Sequence, residues 1–171
     1  TLAAYVLFLN KTGFKGMYRE GKNGCLNIPY GLKDKKKGAT FPTIFDERHL
    51  KETSLLIKNV IFEHLSYCDS IVRASKGDFV YLDPPYVPIT ATSFTTYTVD
   101  GFTDKNHDEL FNLIKGLDSK KIRFLMSNHK AETVLNTFKA TKYNIDFITV
   151  RRAIHSKNPA KTAKEVLIYN T

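Results

Sequence analysis

Gly77-Asp78-Phe79-Val80-Tyr81-Leu82-Asp83-Pro84-Pro85-Tyr86 joins a short apolar run to an abrupt stop. Phe79 to Leu82, β-branched and aromatic, reads as a buried strand. Pro84 and Pro85 have no N–H to donate to a ladder, so the strand ends before them. Each also biases the residue ahead of it towards extended geometry. A rigid loop follows at the carboxyl end of a strand, where open α/β sheets bind their ligands. It offers a carboxylate, backbone carbonyls and an aromatic face at set spacing. A flat heterocycle with an exocyclic amine suits it: Asp83 accepts one N–H, the Pro84 carbonyl accepts the other, and the Tyr86 ring stacks on the base. The same residues also fit a strand closed by a plain turn, with Tyr86 filling the core.

The chain has 171 residues, enough for one domain with a real core. Hydrophobic content of 42% and aromatic content of 12% exclude a disordered tail. The formal net charge is +9. Residues 1–45 hold eight Lys/Arg against two acids, and residues 150–171 hold five against one, which leaves the middle close to neutral. Positive charge gathered in two segments is the pattern of a nucleic-acid footprint, although two solvated Lys-rich loops would give the same counts. Cys25 and Cys68 are too few for a disulfide framework and lack metal-site spacing, so reduced thiols in a cytosolic compartment and no metal are expected. No apolar run reaches membrane-spanning length and no secretory signal is present, so no membrane partner is expected. Thr1 stands inside a helical pattern without an initiator Met, and the natural start is expected elsewhere.

Leu2, Ala3, Val6, Leu7, Leu9 and Asn10 read as the last turns of a mostly buried helix, closed by Gly13. Phe14 to Glu20, the turn Gly21-Lys22-Asn23-Gly24 and Cys25 to Gly31 then read as a β-hairpin, because Asn-Gly between alternating runs is a strong short-range signal. With Lys15 and Arg19 on one arm and Pro29 on the other, such a hairpin is the right size to enter a major groove. There Arg19 could bond a guanine edge bidentately, and Phe14 could press on or wedge between bases. A surface hairpin with Phe14 in the core fits these residues equally. Lys33 to Gly38 reads as a solvated loop suited to phosphates, which give position without base reading.

Asp83-Pro84-Pro85-Tyr86 resembles the catalytic motif of methyltransferases that modify adenine N6. Leu9-Asn10-Lys11-Thr12-Gly13-Phe14-Lys15-Gly16-Met17-Tyr18-Arg19, followed by Leu26-Asn27-Ile28-Pro29-Tyr30-Gly31, is similar to the target-recognition segment of Dam-like (D12 class) adenine-specific DNA methyltransferases. In that family the segment precedes the Asp-Pro-Pro-Tyr loop at about this separation. The resemblance implies an α/β fold: part of a Rossmann-like, S-adenosylmethionine-dependent methyltransferase sheet, mixed, with its last strands antiparallel and a recognition hairpin inserted. Residues 1–12 and 46–171 would form the catalytic core, and 13–45 the recognition segment. It implies methyl transfer from S-adenosyl-L-methionine to a flipped adenine in double-stranded DNA, in a short site of the GATC kind. Asp83, Pro84, Pro85 and Tyr86 would be catalytic, Asp83 and Phe62 would meet the cofactor, and Phe14, Lys15, Arg19 and Pro29 would meet the bases. Members often carry Asn where Lys15 stands, and a basic residue where Leu32 stands; Lys33 is the nearest substitute.

Along the rest of the chain, Asp46 begins a helix with Leu50, Leu55, Leu56 and Ile57. Val60 to Leu65 reads as a strand, with Phe62 equally suited to the core and His64 structural, and a short helix follows around Asp69 to Ala74. Val87 to Thr98, rich in Ser and Thr, reads as a lid or a disordered stretch. Within it Phe94-Thr95-Thr96-Tyr97 resembles the family's loop over the flipped base, with Tyr97 as an aromatic or phosphate contact. Thr103 or Asp104 caps a helix with Leu110, Leu113, Ile114 and Leu117 inward and His107 exposed. Ile122 to Ser127 is a strand, and Ser127-Asn128-His129 would lie beside the catalytic loop in a parallel sheet. After a helix around Glu132 to Phe138 come strands Ile145–Val150 and Val166–Tyr169. The link Arg151 to Lys164 is too short for a crossover helix, so the two pair antiparallel. Arg151 and Arg152 would then sit at a sheet end, placed for DNA backbone contacts.

The glycine-rich turn that lets backbone approach the methionine end of the cofactor has no counterpart in these residues. Two explanations compete: a second chain carries that turn, or this is a DNA-binding remnant without turnover. N4-cytosine methylation is a further alternative, although those enzymes usually place Ser or Thr where Asp83 stands. RNA suits the groove-sized hairpin less well.

Overall fold

Side-chain caps set where three of the helices begin. Asp46, Ser66 and Thr103 are the short polar residues that satisfy orphan N–H groups at helix starts. Each accepts from the backbone three residues on, at His49, Asp69 and Asn106. Asn106 returns a bond to the Thr103 N–H at 3.0 Å, closing a capping box. The computed structural model describes residues 2–21, 23–31, 43–89, 101–151 and 162–170. In chain order it contains helix α1 (Leu2–Thr12), a 3-10 turn (Phe14–Gly16), α2 (Glu47–Leu56), α3 (Tyr67–Ile71), strand β1 (Phe79–Leu82), α4 (Asp104–Ser119), β2 (Arg123–His129), α5 (Glu132–Thr137), β3 (Asn144–Arg151) and β4 (Thr162–Tyr169). The chain divides into two compact units, Thr1–Glu63 and His64–Thr171.

In the first unit the arms on either side of the Gly21–Gly24 turn meet antiparallel at two isolated bridges, Gly13↔Tyr30 and Glu20↔Leu26. No continuous strand forms among the described residues of either arm. Lys15 (φ 57°) and Gly16 (φ 65°) both turn left-handed inside the 3-10 turn, which breaks the extended geometry a ladder needs. Gly31 is required by close approach: a Cβ there would lie 2.7 Å from the Gly13 carbonyl oxygen. The helix reading for residues 2–10 holds, but its burial does not. Leu2, Tyr5, Val6 and Phe8 are exposed, and Thr12 is the buried residue of α1.

The second unit is built on a four-stranded mixed sheet of order β1-β2-β4-β3. β1 runs parallel to β2, β2 antiparallel to β4, and β4 antiparallel to β3, so the expected antiparallel final pair is present. Alternation along the strands sends Val80, Leu82, Phe124, Met126, Val166 and Ile168 to one face. There they join Leu110, Phe111, Ile114 and Leu117 of α4, together with Val134 and Phe138. The opposite face carries Phe79 and Tyr81, each 57% exposed.

Two expectations fail here. Val60 to Leu65 is not a strand: Ile61 and Phe62 stand exposed, and an apolar run acquires a ladder only where a neighbouring strand offers donors and acceptors. His107 is buried, not exposed. It lies three and four residues before Leu110 and Phe111, on the helix face that meets the core. Its ring packs against Phe102 and Phe111, and neither ring nitrogen has a hydrogen-bond partner among the described residues.

Burial holds the His107 imidazole below its usual value of 6.5, against the opposing pull of Asp104 and Asp108. The neutral form is the folded form, so this contribution to stability is complete above the unfolded pKa and is lost as pH falls below it. Chemical denaturation at stepped pH should therefore show stability falling with a slope of at most about 1.4 kcal/mol per pH unit between the unfolded pKa and the lower folded one, and no further loss from this group below that. A His107→Phe variant should show a flatter profile.

Candidate active site

β1 and β2 run in register as far as Leu82↔Met126, and there the ladder stops. The next residues on the β1 side are Asp83, Pro84 and Pro85, and two consecutive imides cannot supply ladder N–H groups. β2 continues to His129, still paired to β4 along its other edge through Ser127↔Leu167, Asn128↔Val166 and His129↔Glu165. Its side chains occupy the space the diverging loop opens. Ser127 Oγ donates to Asp83 Oδ1 at 2.8 Å. The Val87 N–H donates to Asn128 Oδ1 at 3.0 Å, and His129 Nδ1 lies 2.9 Å from the Val87 carbonyl oxygen. The loop is thus held at Asp83 and at both backbone groups of Val87.

Asp83 itself is exposed, while Ser127, Asn128 and His129 are buried beneath the loop. Tyr86 is half-buried: the His129 ring meets it edge-on at 4.9 Å, and its hydroxyl donates to Glu165 Oε2 at 3.3 Å. Burial pushes the Tyr86 phenol up to about 12; the Ser127 hydroxyl pulls the other way, and the Glu165 and Asp83 carboxylates add to the rise. The phenol therefore keeps its proton at neutral pH and acts as a donor. A turn anchors the other end of β1, where the Ser75 N–H and hydroxyl both bond Asp78 and hold its carboxyl below the usual range.

In the first unit a cleft of about 400 Å³ is lined by Asn10, Lys11, Thr12, Gly13, Lys15, Gly16 and Gly31. Lys15 Nζ lies 5.7 Å from the centre of the Phe14 ring, and Phe14 is half-buried. Arg19 spends two of its N–H groups on the Asn27 carbonyl, at 3.0 and 2.9 Å, across the bridged arms. Pro29 is exposed. Phe62 is 75% exposed and is not part of the core formed by the described residues. Arg151 is exposed at the end of β3. Lys33, Tyr97 and Arg152 lie outside the described residues, as does most of the Ser/Thr-rich stretch.

A model of the D12 class N6 adenine-specific DNA methyltransferases matches residues 2–154. The chain belongs to that family. The type II methyltransferase M.MjaIII of Methanocaldococcus jannaschii is 37% identical to it over 147 residues, covering 84% of this chain and 44% of the relative. The DNA adenine methylase of Escherichia coli is 31% identical over 167 residues, covering 97% and 57%. The type II methyltransferase M1.LlaDCHI of Lactococcus lactis is 30% identical over 172 residues, covering 98% and 58%. The chain therefore spans about half the length of these curated relatives.

For this D12-class chain, sequence reading reached the Asp83–Tyr86 loop and placed Ser127-Asn128-His129 beside it. It missed Glu165, which carries no motif. Only the register of β4 against β2 brings that residue to the Tyr86 hydroxyl. No helix among the described residues is long and apolar enough to cross a membrane. Asn128 is fully buried and accepts from the N–H groups of both Val87 and His129. Asn128→Leu should therefore destabilise the fold by about 1–3 kcal/mol, because two buried N–H groups lose their acceptor. Urea denaturation monitored by circular dichroism will measure it.

Proposed function

We propose that this chain is the target-recognition and catalytic portion of a site-specific DNA adenine N6-methyltransferase that uses S-adenosyl-L-methionine. The observation that carries the reading is an exposed carboxylate held rigidly at the carboxyl end of a strand, followed by two prolines and a fixed aromatic ring. The N6 lone pair of adenine is delocalised into the ring, which makes the amine a poor nucleophile. Asp83 and the Pro84 carbonyl each accept one amine hydrogen, and together they turn the nitrogen towards tetrahedral geometry with its lone pair free. Positioning and stabilisation of developing positive charge are their contribution. Asp83 is also the nearest carboxylate to take the proton the amine sheds. Tyr86 stacks on the extruded base and offsets part of an unstacking cost of a few kcal/mol.

Bound S-adenosyl-L-methionine supplies a methyl group already activated on a sulfonium. The residues present fit part of it. Asp83 gives a carboxylate for the cationic centre; Phe62 is assigned to the cofactor adenine from the family resemblance alone. We place the glycine-rich turn for the methionine end outside these 171 residues, on a strand that pairs along the outer edge of β1, carried by the same polypeptide or a second chain. Supporting this, β1 is the terminal strand of its sheet among the described residues and shows Phe79 and Tyr81 to solvent. The matched region also covers only 44% and 57% of two of the relatives.

Double-stranded DNA is the proposed partner. Lys15, Phe14, Arg19 and Pro29 would read a short site of the GATC kind, and Lys33, Tyr97, Arg151 and Arg152 would add further DNA contacts. The net charge of +9 and the lysine-lined cleft support this.

Asp83→Ala in the full protein should reduce methyl transfer by at least about 100-fold while DNA binding largely survives. Nucleoside mass analysis of treated DNA should find N6-methyladenine with the wild type only. Wild-type turnover by the variant, or N4-methylcytosine as the product, rules the assignment out.

A further inference from the structure

Resting on that reading, we propose that Ser127 is a positioning residue for methyl transfer, setting which oxygen of Asp83 the target amine meets. A carboxylate turns about a broad, nearly two-fold torsion, so on its own it offers two interchangeable oxygens. The Ser127 hydroxyl removes that equivalence by donating to Oδ1 at 2.8 Å. Burial protects the donor side of this bond: Ser127 is 4% exposed, while the Asp83 carboxylate it meets stands at the surface. While that proton is donated to Asp83, the 3.3 Å contact between Ser127 Oγ and the Tyr81 hydroxyl is donated by Tyr81, and the Tyr86 hydroxyl also competes for the Ser127 proton. The result is a one-way chain, Tyr81 to Ser127 to Asp83. It engages Oδ1 and leaves Oδ2 without that bond, on a residue that is itself exposed. The Leu82 carbonyl oxygen, 3.4 Å from Ser127 Oγ, is the weaker alternative acceptor and belongs to the residue immediately before Asp83, so either bond keeps Ser127 at the root of the loop.

Sequence spacing makes this specific to one residue of β2. Ser127 follows Met126, the last residue of β2 in register with β1, and so is the first whose neighbour across the gap has left the ladder. Asn128 and His129, the two residues after it, grip the backbone of Val87 and set the path of the loop. Ser127 is the member of the trio that bonds the reacting carboxylate.

The test uses the full protein carrying this chain, with Ser127→Ala and Ser127→Thr. Single-turnover transfer of labelled methyl into PCR-amplified, unmethylated duplex DNA is measured beside the dissociation constants for DNA and S-adenosylmethionine and the thermal midpoint. Ser127→Ala should slow transfer about 10- to 100-fold, with both dissociation constants near wild type and the midpoint within about 5 °C. Ser127→Thr, which keeps the hydroxyl, should recover most of the rate. A Ser127→Ala enzyme at wild-type speed overturns the proposal. So does a Thr variant as slow as Ala, or a loss seen only in affinity or thermal midpoint. If the wild type forms no N6-methyladenine, the reading of the loop fails and this inference falls with it. If the wild type methylates adenine and only the Ser127 results fail, that reading stands.

Discussion

Two adjacent residues without an N–H end the parallel ladder between β1 and β2, and the surroundings of the candidate site follow from that constraint. Backbone pairing stops after Leu82↔Met126, yet β2 stays straight for three more residues because β4 still pairs along its other edge. Most buried backbone groups find partners, and here those of Val87 find the side chains of Asn128 and His129. Ser127, Asn128 and His129 take over from the missing backbone partner and hold the loop at Asp83 and Val87. A flexible loop would lose Asp83 to solvent. This one keeps the carboxylate exposed and tethered by the Ser127 hydroxyl.

The sheet of the second unit is covered on one side. α4 and the segment around α5 fill the face of Phe124, Met126, Val166 and Ile168, while Phe79 and Tyr81 remain open on the other. Among the described residues β1 is the edge strand of its sheet, paired with β2 on one side, a state that strands ordinarily relieve by pairing or cover. Within the first unit α1 tells the same story in helical form, since its apolar residues lie on every side and are exposed. These surfaces have the composition of interiors.

Much of the fold was legible in local chemistry. The Asp-Pro-Pro stop, a helix cap at Thr103 or Asp104, which the structure resolves to Thr103, and the spacing of Leu110, Ile114 and Leu117 each state their structure within a few residues. The link between the final strands was too short for anything but an antiparallel return, and β3 and β4 pair that way. Reading failed where the outcome depends on a distant partner. Val60 to Leu65 has the composition of a strand, but composition does not provide a neighbouring ladder. His107 was misjudged because it sits near a helix start, where polar residues are common. Its burial depends on Phe102 and Phe111 closing around it.

The amino-acid sequence alone determined where a strand had to stop and that a carboxylate and an aromatic ring would follow, because proline's missing N–H and fixed φ act within the residues themselves. Tertiary structure alone decided which groups restrain them. Ser127 lies 44 residues from Asp83, and Glu165 lies 79 residues from Tyr86. Strand order and register bring those pairs to hydrogen-bond distance, and register is set by the burial of a whole sheet face, a property that no single segment possesses.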